Sequence, residues 1–152
     1  MTEPLVSRIL RYILYTVVAA GVLLTATVPF MLDTYFSILN DAYSIEQGYR
    51  MFITIFLMIV GFAGLWAVME LILILHSIPL GPFISRNVRA FKRIGVIFLA
   101  LAAMFWGKCL LYVTFLTMIG GVIFLLGGLF TFTLVSLFRQ AVAFREENDL
   151  TI

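Results

Sequence analysis

Charges divide this chain more sharply than any other feature. From Tyr12 to Leu32 there are 21 uncharged residues in a row, and from Met51 to Met69 there are 19. After Glu70 the apolar run resumes to Leu75, and the 45 residues from Ile94 to Phe138 are interrupted by Lys108 alone. A helix crossing a bilayer needs about 20 apolar residues at 1.5 Å each. The last stretch is too long for one crossing and suits two, with a turn near Thr114–Met118 followed by Gly120 and Gly121. The expected fold is all-α, an integral membrane four-helix bundle with helices at about 10–32, 51–75, 94–114 and 118–139. The tail 140–152 follows, within a single membrane domain over 1–152.

Composition agrees. Hydrophobic residues make up 63% of the chain and charged ones 12%, which excludes an ordinary soluble domain or a disordered tail. The apolar runs lack the period-2 alternation of a membrane β-barrel. Helices satisfy their backbone internally and so suit such runs. Arg8 and Arg11 resemble the basic start of a signal peptide, but 21 apolar residues exceed a typical apolar region of that kind. An uncleaved signal anchor is expected.

Orientation follows from the basic residues. Arg8, Arg11, Arg86, Arg89, Lys92, Arg93, Arg139 and Arg145 fall on one side, with Arg50 on the other and Lys108 near that other face. The positive-inside rule then places both termini and the second loop in the cytoplasm. The loop 33–50, with Asp33, Asp41 and Glu46, faces outward.

Little points to catalysis. Nucleophile elbows, zinc-protease, P-loop and dinucleotide motifs are all missing from the sequence. With His76 the single histidine and Cys109 the single cysteine, no disulfide and no plausible metal site can be assembled, and no cofactor is expected. Cys109 reads as a small buried hydrophobe, and His76 as an interfacial residue. The chain is expected to be no enzyme and to bind no nucleic acid directly.

Glu70 and Lys108 are the charges inside expected spans. They serve either as a buried pair or ion pathway, or as snorkelling groups near opposite ends of the membrane. Gly61/Gly64, Ala63/Ala67, Ala103/Gly107 and Thr117/Gly121 put small residues at helical spacing, which favours close packing within the chain or in a homo-oligomer. Trp66 and Trp106 lie mid-span and are expected between helices.

The second loop is the most informative stretch. Ile78-Pro-Leu-Gly-Pro-Phe83 reads as a rigid turn, after which Ser85 is expected to cap a helix running into the third span. On that helix Arg86, Arg89 and Arg93 form a basic stripe with Lys92 beside it, while Val88 and Phe91 share an apolar side. Such a stripe anchors against anionic lipid or docks an acidic cytosolic partner. The tail turns acidic at Glu146-Glu147-Asn148-Asp149, with Asn148 a candidate helix end and strand-like Leu150-Thr151-Ile152 beyond. It either frays or clasps the basic loop.

Gly81-Pro-Phe83, Asn87-Val88-Arg89 and Lys92-Arg93-Ile94-Gly95, together with the ending Arg145–Ile152, resemble the loop and terminal motifs of a bacterial membrane family, domain of unknown function 2975. Here Gly81 is followed directly by Pro82, and Phe91 stands where the family pattern has Leu. The resemblance implies four helices and cytoplasmic termini in a bacterial inner membrane, with no assigned reaction. It also implies a neighbouring small helix-turn-helix DNA-binding regulator as a partner. The expected function is therefore a regulatory or sensory membrane component. Arg86, Asn87, Arg89, Lys92, Arg93 and Glu146, Glu147, Asn148 and Asp149 would form its docking surface. The alternative is a small transporter, channel subunit or export and immunity accessory protein.

Overall fold

The computed structural model describes residues 5–40, 46–77 and 84–149, and among these all regular structure is helical. Four helices follow in order: α1 (Leu5–Asn40), α2 (Gln47–Ser77), α3 (Ser85–Leu111) and α4 (Phe115–Asp149). The turn expected over Ile78–Phe83 and the terminal Leu150–Ile152 lie outside the described residues.

Each of the four is long and apolar enough to cross a membrane. Three run well past the spans that charges delimit: α1 extends beyond both Arg11 and Asp33, α3 starts nine residues before Ile94, and α4 continues through Arg139 to Asp149. Arginine and glutamate are good helix formers. A charge therefore marks where the chain meets water, while the helix continues. At its start α3 departs from the expected cap. Ile84, with extended backbone (φ −125°, ψ 146°), is the N-cap residue and gives no side-chain hydrogen bond, while Ser85 is already helical. The turn before α4 falls at Tyr112–Thr114, slightly earlier than expected. Thr114 O accepts from the amides of Thr117 (2.9 Å) and Met118 (3.1 Å).

The chain divides within α2 into two compact units, one up to Val68 and one from Met69 onward. In the first, α1 and α2 run antiparallel. A Cβ on Gly61 would come within 2.5 Å of Thr25 Oγ1, and one on Gly21 within 2.9 Å of Leu65. Further along, the Phe36 ring meets Tyr49 edge-on, with 6.1 Å between ring centroids. Thr25, Phe36, Phe56 and Ala67 are buried. Pro29 sits inside α1 and removes one backbone donor from it.

In the second unit α3 and α4 pack antiparallel through glycines. A Cβ on Gly120 would lie 2.5 Å from Phe105, and one on Gly128 2.7 Å from Leu99. Large residues of α3 thus lie directly on the α4 backbone, the small-residue mode of packing seen where no water drives helices together. Phe91 stacks on Phe138 (5.1 Å), and Phe124 takes both Phe98 and Phe105 edge-on. The last turns of α2 join them, with Ile72 and Leu75 buried, as are Ala90, Ile94, Leu101 and Ala102 of α3.

Two of the expected packing features differ. Gly64 and Gly107 face open space, whereas Gly61 and Gly121 sit at contacts. Trp66 is 61% exposed rather than enclosed between helices, and Trp106 is 41% exposed with its indole edge beside Gly121. An apolar ring costs nothing against lipid, so mid-span position alone does not decide which way a tryptophan faces.

Candidate functional site: the charged ends of α2, α3 and α4

The charged residues of the second unit gather at its two ends. At one end, the last turns of α2 meet the first turns of α3 through two polar links. Glu70 is buried, and its carboxylate receives the fork of Arg93: Nε to Oε1 at 2.6 Å and Nη2 to Oε2 at 2.7 Å. This bidentate geometry is the strongest form of such a pair. Seven residues on, and so about 10 Å along α2, Ser77 lies against Asn87, its Oγ donating to Asn87 Oδ1 at 2.6 Å. Ser77 Oγ also donates to Ile74 O at 2.7 Å. The single hydroxyl proton is shared between these two acceptors. Both side chains are almost fully enclosed. His76, on the outer side of the same turn, donates from Nδ1 to Ile72 O at 3.0 Å, since the carbonyl has no proton to give.

Lys108 belongs to the other end. It is buried in the last turn of α3, and its ammonium donates to Thr117 Oγ1 at 2.8 Å and Thr114 Oγ1 at 3.3 Å. Fifteen residues separate it from Arg93, about 22 Å along α3. Glu70 and Lys108 therefore do not form a pair: the carboxylate finds its partner in the second-loop arginine, and the ammonium in threonines across the α3–α4 turn. The position of Lys108 at a helix C-terminus also suits the sign of the helix dipole. Sequence spacing offers no means of seeing the Glu70–Arg93 link, because Arg93 reads as one more member of the basic stripe.

The stripe itself divides. Arg86, Arg89 and Lys92 are exposed, whereas Asn87 is buried and Arg93 is committed to Glu70. Of the five α3 residues expected at a docking surface, Arg86, Arg89 and Lys92 combine exposure with no ion pair among the described residues. Arg139 of α4, which in sequence marks only a boundary of the last span, lies beside Arg89. Arg139 and Val142 line a groove of about 270 Å3 with Ser85, Val88 and Arg89. The antiparallel pairing that stacks Phe91 on Phe138 brings these residues together. In the tail, Glu146, Asn148 and Asp149 continue α4, so Asn148 does not end the helix, and the Glu147 side chain is exposed. Among the described residues no cluster of His, Cys, Asp and Glu could hold a metal ion, and Cys109 is a half-buried free thiol.

Four apolar, membrane-length helices with charges gathered at their ends define a small multi-pass membrane protein. Residues 36–152 match the family described as protein of unknown function (DUF2975), and the chain belongs to that family. No curated protein and no solved structure matches it.

Proposed function

We propose that this protein is a non-enzymatic regulatory component of a bacterial inner membrane that binds a cytosolic partner at the α3–α4 basic groove. The groove carries the proposal. Two arginines, Arg89 and Arg139, flank two valines, Val88 and Val142, and Arg86 and Lys92 lie exposed on the same stretch of α3. Guanidinium forks bind carboxylates bidentately, and the valines offer an apolar seat between them. A short acidic segment with one apolar side chain fits that pattern. The excess of basic residues at this end favours a cytoplasmic position. The small helix-turn-helix regulator associated with the family is the partner of choice. The Glu70–Arg93 and Ser77–Asn87 links, which tie α2 to this end of α3, would carry changes in helix packing to the groove.

Binding of that regulator to the protein in nanodiscs of zwitterionic lipid tests the proposal. The wild type should bind, less tightly as salt rises, and Arg89→Glu/Arg139→Glu should weaken binding by tenfold or more, about 1.4 kcal/mol. Equal binding by the double variant, or none by the wild type, defeats the proposal. Binding abolished by adding anionic lipid would show the groove to be a membrane anchor instead.

A further inference from the structure

A second groove, in the first unit, is independent of the one above. It measures about 390 Å3 and is lined by Pro29, Asp33 and Phe36 of α1 and by Gln47, Arg50, Met51, Thr54 and Ile55 of α2. That volume lies in the range of small-ligand sites, about 300–1,000 Å3. Two opposite charges, Asp33 and Arg50, share it, yet among the described residues they form no ion pair with each other. The Arg50 guanidinium lies over the Phe36 ring, 5.4 Å from its centroid, and its Nε is shut off from solvent without an acceptor. Thr54 Oγ1 is turned away to the Arg50 carbonyl at 2.8 Å. An aromatic face fixes the plane of an arginine without occupying its outer donors.

The location is as informative as the charges. Asp33 is the first charge after the 21-residue apolar run of α1, and Arg50 is the last before the 19-residue run of α2. Both therefore stand at the same boundary between apolar helix and water, the level of lipid headgroups. Met51 and Ile55, one turn apart on α2, are exposed on the apolar side of that boundary.

We propose that this groove binds a phospholipid carrying a primary ammonium, of the phosphatidylethanolamine type. Its phosphate meets the Arg50 guanidinium, its ammonium meets the Asp33 carboxylate, and an acyl chain runs down over Met51 and Ile55. Two carbons separate its phosphate from its ammonium, so the headgroup offers one anion and one cation to a groove lined by one charge of each sign. A headgroup with net negative charge, such as phosphatidylglycerol, brings no cation for Asp33. A quaternary ammonium brings the charge but no N–H donors, whereas a primary ammonium has three.

Native mass spectrometry of the full chain, released from micelles containing equal amounts of phosphatidylethanolamine, phosphatidylglycerol and phosphatidylcholine with matched acyl chains, tests this. The wild type should retain one phosphatidylethanolamine in preference to either other lipid by about fivefold, near 1 kcal/mol. Asp33→Asn should bring that ratio close to one while lipid is still retained. Arg50→Gln should lose retention of all three, and Arg50→Lys, which keeps the charge, should keep the preference. Glu46→Gln, a nearby charge outside the groove, should change nothing. Equal retention of the three lipids by the wild type, or an unchanged preference in Asp33→Asn, overturns the proposal. So does displacement of the bound lipid by water-soluble glycerophosphoethanolamine, which would make the ligand a solute.

Discussion

Removing either partner of the Glu70–Arg93 link should have unequal effects, because the two side chains sit in unequal surroundings. The Arg93 side chain is 50% exposed and that of Glu70 only 7%. Arg93→Leu leaves a carboxylate enclosed by protein without its guanidinium. Breaking a fully buried pair costs about 3–5 kcal/mol, which the half exposure of Arg93 reduces to about 2–3 kcal/mol. Glu70→Leu leaves an arginine whose long stem can carry its charge to water, at a cost of about 1 kcal/mol or less. The double variant Glu70→Leu/Arg93→Leu leaves no buried charge and should be more stable than Arg93→Leu alone. Equilibrium unfolding by SDS in mixed micelles, followed by circular dichroism, measures all three. Equal destabilisation by the two single variants, or a double variant that costs their sum, would refute the reading of this pair as a buried carboxylate held by Arg93.

Other expectations follow from the same contacts. Asn87→Ala should cost about 1–2 kcal/mol in the same unfolding assay, since it removes an enclosed hydrogen bond to Ser77, whereas Arg86→Ala beside it should cost little. Gly120→Val should destabilise strongly, because even a Cβ there would meet Phe105 at 2.5 Å, while Gly64→Ala and Gly107→Ala face open space and should be neutral or stabilising by up to about 1 kcal/mol. In a Cys109→Ser background, single cysteines at Glu46 and Arg145 should react with a membrane-impermeant maleimide from opposite sides of the membrane, Glu46 from outside; labelling from one side would contradict the proposed topology.

The number and order of the helices are legible in the sequence because uncharged runs of bilayer length have few physical alternatives. Helix ends are less so. Charges at Arg11, Asp33 and Arg139 locate the water boundary, but nothing in those residues stops a helix. The partners of intramembrane charges are not legible either. Glu70 and Lys108 stand out in sequence as the two charges within expected spans, which invites pairing them. Antiparallel packing instead places Glu70 beside Arg93 and Lys108 beside Thr117. The groove at Arg89 and Arg139 has the same origin, since it joins residues 50 positions apart that only the α3–α4 pairing brings together. Asn87 shows the converse. Its place in a family-like loop motif suggests recognition, and the structure gives it a packing role that ties α2 to α3.

The proposed seat of the cytosolic partner is the α3–α4 basic groove. A photo-crosslinking amino acid placed at Val142, between Arg139 and the end of α4, tests it in living cells that express the chain with the proposed helix-turn-helix regulator. A crosslink between the two proteins is expected, and it should disappear in the Arg89→Glu/Arg139→Glu background. Crosslinks to lipid alone, or a protein crosslink that survives the charge reversal, would contradict that placement.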